Sequence, residues 1–265
     1  GTYGSLLIMA GAAGYAGAAS LAARAAVRSG VGLVTVLTAA SVAPTVAATV
    51  PEAMVFGGAQ TDAGSLAADC LKKWNRSLAD FDALLIGPGL TAHEQSRELV
   101  VDILKQSRLP VVMDADALNV CAGRGHVIKQ AGGRAVITPH PGEMARLLGM
   151  QVPEVQADRL GAAGKAAEVT GAVVVLKGAG TLVVERGARP GVNMTGNPGM
   201  ADGGMGVVLA GLLAGLIAQR YGLREGAGAA AYIHGRAADR LAGRRSMVGL
   251  SAGDVIGEIP GVWRE

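Results

Sequence analysis

Short aliphatic and β-branched runs alternate along the chain with Ala-rich stretches of helical period. This is the alternation of βαβ units, in which helices cover both faces of a mostly parallel sheet and the strands read as near-continuous apolar runs. Strands are predicted at Leu6 to Ala10, Leu33 to Leu37, Ala83 to Ile86, Val111 to Asp114, Ala135 to Thr138, Val173 to Leu176 and Thr181 to Val184. Helices are predicted over Ala18 to Ser29, Gln95 to Ser107 and Val155 to Thr170, stopping at Gly30, before Pro110 and at Gly171. Two more follow: the apolar run Val207 to Gln219, and Ala227 to Leu241, whose Tyr232 and His234 pack either on the sheet or on another subunit. No internal repeat or linker interrupts the pattern, so one domain over 1–265 is expected, α/β in class.

A chain of 265 residues, 50% of them hydrophobic, can bury a large core. The net charge of +3 is scattered and aromatic residues make up only 3%, which argues against a nucleic-acid stripe, a stacking platform or a polybasic membrane patch. Cys70 and Cys121 have no metal-ligand spacing and read as reduced, half-buried thiols. The Leu6 to Ala10 run is too short for a signal peptide, and Val207 to Ala218 falls short of the roughly 20 residues that span a bilayer. A cytoplasmic protein with small-molecule partners is expected.

In such sheets ligands collect at the carboxyl ends of the strands. Gly11, Gly14 and Gly17 follow the first strand with GxxGxxG spacing, which is neither a dinucleotide fingerprint nor a Walker loop and reads first as a strand-to-helix turn. Gly87-Pro88-Gly89-Leu90 follows the third strand. Asp114, at the end of the fourth, either holds magnesium or caps the next helix with Asn119 nearby. Thr138-Pro139-His140-Pro141-Gly142-Glu143 is a turn stiffened by two prolines, holding His140 at a strand end for ligand contact and placing Glu143 in a first helical turn. Lys177-Gly178-Ala179-Gly180-Thr181 joins two strands, as a plain hairpin or as a phosphate or purine site offering a Lys charge and open amides.

The most informative stretch is Asn193 to Gly206, where five glycines precede the apolar helix. Without Cβ atoms the backbone approaches a phosphate closely, and the first amides of the helix favour negative charge. A nucleotide phosphate fits that cradle. Val207 stands in the first helical turn, where phosphate chemistry wants a carboxylate.

Together these motifs resemble the ADP- or ATP-dependent NAD(P)H-hydrate dehydratases of the ribokinase-like superfamily. The resemblance rests on Gly1-Thr2-Tyr3-Gly4, Gly14 to Ala19, Gly32 to Val36, Ile86 to Leu90, Asp114 to Asn119, Thr138 to Met144, Leu176 to Thr181 and Gly196 to Ala201, in that order over nearly the whole chain. It implies a ribokinase-like fold with a small β-meander or hairpin, magnesium, and a homotetramer. The implied activity is a carbon–oxygen lyase reaction that repairs damaged cofactor. The ring hydroxyl of NADH or NADPH hydrate takes phosphate from ADP or ATP, and phosphate is then eliminated. By the same resemblance Ala18, Gly89 and His140 contact the hydrate, Lys177, Gly178, Ala179, Gly180 and Thr181 meet the nucleotide, and Gly206 contacts its AMP portion. Asn119 is placed with the substrate residues and Gly204 with the catalytic ones. The epimerase domain often fused in front is not in this sequence, so dehydration alone is expected.

Family members carry Gly-x-Gly-Asp-Val-Leu, with the Asp removing the proton from the attacking hydroxyl; this chain reads Gly204-Met205-Gly206-Val207-Val208-Leu209. Valine accepts no proton, and general-base catalysis is worth roughly 10² to 10⁴ in rate, so depressed turnover with retained nucleotide binding is expected. Asp202, five residues earlier, needs a different backbone path to substitute. A catalytically silent nucleotide-binding protein and a small-molecule kinase of the same superfamily are the alternatives.

Overall fold

The computed structural model describes residues 2–264; Gly1, which opens the first of the motifs above, and Glu265 lie outside them. Nine strands form one sheet: β1 Ser5–Met9, β2 Leu33–Ala39, β3 Met54–Gly58, β4 Ala83–Ile86, β5 Val111–Met113, β6 Ala135–Ile137, β7 Val173–Leu176, β8 Thr181–Val184 and β9 Gly191–Asn193. Their spatial order is β3-β2-β1-β4-β5-β6-β7-β8-β9. Pairing is parallel from β3 through β7, and β8 and β9 close the edge as an antiparallel meander.

The pleat divides the apolar strand residues between two cores. Leu6 and Ile8 of β1 face one way with Leu85 and Val112, against α1 Ala16–Arg28, α8 Met205–Ala218, α9 Leu223–Ala242 and α10 Ala252–Val262. Leu7 and Met9 face the other way with Leu84, Ile86 and Met113, against α3 Glu94–Gln106, α5 Pro141–Leu148 and α7 Arg159–Thr170. The short helices α2 Ala43–Thr49, α4 Asp116–Asn119 and α6 Val152–Ala157 complete the layers. α8 is apolar around its whole circumference because it runs buried, with α1 on one side and α9 on the other.

All seven expected strands are present. β3 and β9 escape the sequence pattern because β3 ends in two glycines and β9 has three residues beginning with one. The helix expected over Val155 to Thr170 is two helices. Asp158 breaks it with non-helical φ −136° and ψ 75°, and its carboxylate accepts the Gly161 amide at 2.8 Å as the cap of α7. Both cysteines are free and fully buried rather than half-buried, and burial pushes their thiols up, Cys70 to about 12 and Cys121 to about 11. α9 lies on its own sheet, with His234 buried and Tyr232 48% exposed. No helix among the described residues is long and apolar enough to cross a membrane.

Candidate active site

Strand order reverses between β1 and β4, the position where a crevice opens at the carboxyl ends of such sheets. The turn after β1 and the turn after β4 are tied there by the Gly11 amide, which donates to the Pro88 carbonyl at 2.9 Å. Gly89, at φ +67°, comes so close to α1 that a Cβ on it would lie 3.0 Å from that of Ala18. The expected pair Ala18 and Gly89 is therefore brought together. The positions a Cβ would take on Gly14 and Gly17 have no atom within 4 Å, so these glycines leave open space above the turn.

The turns after β5, β6 and β7 meet around one ammonium group. Lys177 Nζ lies 2.7 Å from Asp114 Oδ1 and 3.5 Å from Glu143 Oε2. Thr138 Oγ1 donates to the same Asp114 oxygen at 2.8 Å, and the Lys177 amide donates to the Pro139 carbonyl at 2.9 Å. Burial works against the Lys177 charge, but the Asp114 and Glu143 carboxylates outweigh it and hold its pKa above the ordinary value. Asp114 does not cap α4; the cap position is Ala115, and no side chain bonds to that helix start.

His140 caps α5 with its ring. Nδ1 accepts the amides of Gly142 and Glu143 at 3.0 and 3.4 Å, while Glu143 Oε2 accepts the His140 amide at 2.8 Å. With Nδ1 committed as acceptor, the neutral ring carries its proton on Nε2. Burial lowers the His140 pKa, Glu143 opposes the shift, and Lys177 and Arg146 reinforce it. The ring is half exposed, and its Nε2 lies 3.6 Å from Glu143 Oε1, so the strand end presents a neutral donor beside a carboxylate. Asn119 is engaged on both sides of its amide: Nδ2 donates to Asp116 Oδ1 at 3.1 Å and Oδ1 accepts Arg146 Nε at 3.0 Å.

Two sets of open backbone amides flank Lys177. Among the described residues, the Gly178, Ala179 and Gly180 amides donate to no protein acceptor. Their loop is held from behind by Arg159 at the start of α7, which donates to the carbonyls of Leu176, Lys177 and Gly180 at 3.2, 3.4 and 3.4 Å. Carbonyl and amide of one trans peptide point in opposite directions, so the Arg159 bond to the Lys177 carbonyl turns the Gly178 amide away, towards the open side. The second set opens α8. Val208 makes the first helical bond, to the Gly204 carbonyl, so the Gly206 and Val207 amides have no acceptor among the described residues. A Cβ on Gly206 would sit 3.1 Å from Lys177 Nζ, so the helix start, the ammonium and the hairpin loop share one space. Val207 packs partly against the apolar core, and Asp202 is exposed on the preceding loop.

Sequence reasoning named Lys177, and Thr138 within its turn, but missed their partnership with Asp114. Thr138 and Lys177 lie 24 and 63 positions from Asp114, and only the folded sheet joins them. Asp239 of α9 accepts the Gly196 amide at 2.9 Å and Asn197 Nδ2 at 3.0 Å, fixing the loop that leads into the cradle. His234 is buried near Lys177, and among the described residues its Nε2 has no hydrogen-bond partner. No group of three or more metal-ligating side chains is found among the described residues. Magnesium is commonly held by one or two carboxylates with phosphates and water completing the octahedron, so the donors present, Asp114 and Glu143, suit it once a nucleotide supplies phosphate oxygens.

A parallel sheet covered on both faces and closed by an antiparallel edge, with a glycine-opened helix start beside a strand-end lysine, defines a protein of the ribokinase-like fold. A ribokinase-like superfamily protein from Enterococcus faecalis superimposes with a TM-score of 0.81 at 26% identity, over 99% of this chain and 87% of that one. The match narrows further. The chain belongs to the NAD(P)H-hydrate dehydratase family, whose profile matches residues 6–261. It is 43% identical over 266 residues to the bifunctional NAD(P)H-hydrate repair enzyme Nnr of Moorella thermoacetica, covering 100% of this chain and 50% of the relative. The chain thus spans about half the length of the curated relatives it matches. The ADP/ATP-dependent NAD(P)H-hydrate dehydratase of Bacillus subtilis, co-crystallized with ATP and Mg2+, superimposes with a TM-score of 0.84 at 30% identity, over 99% of this chain and 90% of that one.

Proposed function

We propose that this chain binds ADP or ATP with Mg2+ in the space around Lys177 and Gly206, and the hydrate of NADH or NADPH beside Ala18, Gly89 and His140. The reaction is ATP- or ADP-driven dehydration. The ring hydroxyl takes the terminal phosphoryl group and gives up its proton; phosphate then leaves with the electron pair of its C–O bond, and loss of a neighbouring ring proton restores the dihydropyridine. One observation carries the reading: a continuous set of contacts joins the Ala18–Gly89 turn to the Asp114–Lys177 pair and the start of α8, so the turns assigned here to the two ligands adjoin. Gly87 is the link, packed so tightly on the next turn that a Cβ there would lie 1.9 Å from the Asp114 carbonyl oxygen.

The chain's own groups would divide the work. Lys177 and the amides of Gly178, Ala179, Gly180, Gly204 and Gly206 hold phosphate charge in a pre-arranged site, and Thr181 anchors the loop by donating from Oγ1 to the Gly178 carbonyl at 2.9 Å. Asp114, with the nucleotide phosphates, would hold magnesium, which would supply charge neutralisation for the transferring group. His140 donates from Nε2 to the substrate. Val207 leaves the proton of the attacking hydroxyl without a protein base, so turnover is slow while binding persists. A silent nucleotide-binding protein is the second reading, favoured by that one residue. Recovery of dihydropyridine absorbance from NADPH hydrate with ADP or ATP tests the first against the second. A single domain, a cytoplasmic location and a homotetramer complete the proposal; the location rests on composition and the homotetramer on resemblance.

A further inference from the structure

Three non-glycine residues among those described adopt positive φ, and two of them, Thr91 at 66° and Ala115 at 51°, flank one hydrogen-bonded relay at the crevice. Backbone held in such regions persists only where its surroundings impose it, and it clusters at functional sites. The Thr91 amide donates to Asp116 Oδ2 at 2.9 Å. Asp116 Oδ1 accepts Asn119 Nδ2 at 3.1 Å, and Asn119 Oδ1 accepts Arg146 Nε at 3.0 Å. The relay runs from the turn after β4, two residues past Gly89, through α4 to α5, and ends in a guanidinium.

We propose that Arg146 is a phosphate-recognition residue on the substrate side of the crevice, taking a phosphate of the pyridine dinucleotide. A Cβ on Gly142 would lie 2.8 Å from the His140 ring and 3.7 Å from Arg146 Nη1, so imidazole and guanidinium flank the same first turn of α5. Arg146 is exposed and forms no ion pair with a described residue, yet it is aimed. A neutral amide stands between it and the Asp116 carboxylate. Orientation is thereby supplied without a direct ion pair that would offset the charge, and with Nε occupied the two Nη groups remain free for the paired hydrogen bonds that suit a phosphate. The α5 amides nearest to it are taken by the His140 ring, so the side chain and not the helix start provides the site. Asn119 then acts as a positioning residue for Arg146.

This inference rests on the proposed function, and titration calorimetry on the intact chain separates the two. NADPH, NADH and ADP are titrated into the wild type, Arg146→Gln, Arg146→Lys and Asn119→Asp. Losing a charge-assisted pair of bonds is expected to weaken NADPH binding about 10- to 100-fold in Arg146→Gln and to leave ADP binding within about twofold. Arg146→Lys recovers part of the loss. Asn119→Asp, which keeps the guanidinium but pairs it, and which loses the donor to Asp116, weakens NADPH binding in the same direction while ADP binding stays within about twofold. Equal losses for NADH and NADPH assign the phosphate to the pyrophosphate, and a loss for NADPH alone assigns it to the 2′-phosphate; either supports the inference. Unchanged NADPH affinity in Arg146→Gln, or an equal loss for ADP, overturns it and leaves the proposed function standing. A wild type that binds ADP but neither dinucleotide overturns both.

Discussion

Lys177 and Asp114, 63 residues apart in sequence, form a contact of 2.7 Å with only 16% and 2% of their side chains exposed. Glu143 stands on the same ammonium at 3.5 Å, so two carboxylates share one cation. Removing a buried partner leaves uncompensated charge, which costs about 3 to 5 kcal/mol. Lys177→Met is accordingly expected to lower unfolding free energy by that order in urea titrations and to abolish ADP binding. A variant as stable as the wild type would show that the pair contributes nothing to the fold.

Position 207 decides turnover in the proposed reaction. Val207→Asp places a carboxylate at the third position of α8, where the helix dipole also favours negative charge, so the substitution is expected to fold normally. Restoring a general base predicts a rise in kcat of about 10² to 10⁴, with little change in ADP affinity. The measurement is absorbance recovery from NADPH hydrate. A folded, ADP-binding Val207→Asp protein that stays inert would remove either the substrate or the assigned base.

His140 has two separable tasks, one per ring nitrogen. Asn supplies a good cap for α5 but no donor at the Nε2 position, whereas Phe supplies neither. His140→Asn is expected to keep its melting temperature and lose dinucleotide affinity about 10-fold, while His140→Phe loses both, with about 1 kcal/mol of stability gone with the cap. Equal dinucleotide affinity in His140→Asn and wild type would mean that Nε2 touches no ligand.

The strand pattern was legible because parallel strands buried on both faces read as unbroken apolar runs, and Val173 to Leu176 could be nothing else. The glycine-rich loops were legible because Gly89 and Gly206 stand where a side chain would collide or block approach. Asp114 was found with its partner unassigned. Contacts across the sheet edge, such as Thr138 to Asp114 and Arg159 to the Lys177 loop, follow from strand order, which local sequence does not encode. His234 gave no signal at all: its flanks read as an ordinary small-residue helix, and only packing buries the imidazole where it feels the Lys177 charge.

That burial has a measurable consequence in acid. Desolvation, assisted by the Lys177 charge, pushes the His234 pKa from 6.5 down to about 4, so the folded protein keeps the ring neutral where the unfolded chain protonates it. Above pH 6.5 neither state binds the proton and His234 adds no pH dependence; between pH 6.5 and about 4 the unfolded state binds more protons, and stability falls as pH falls. The full shift corresponds to about 3 kcal/mol. His234→Leu cannot titrate, so its urea-unfolding free energy is expected to decline less steeply than that of the wild type between pH 7 and 4.5, with the two curves running parallel above pH 7. Parallel curves over the whole range would mean that His234 takes up its proton equally in the folded and unfolded chains.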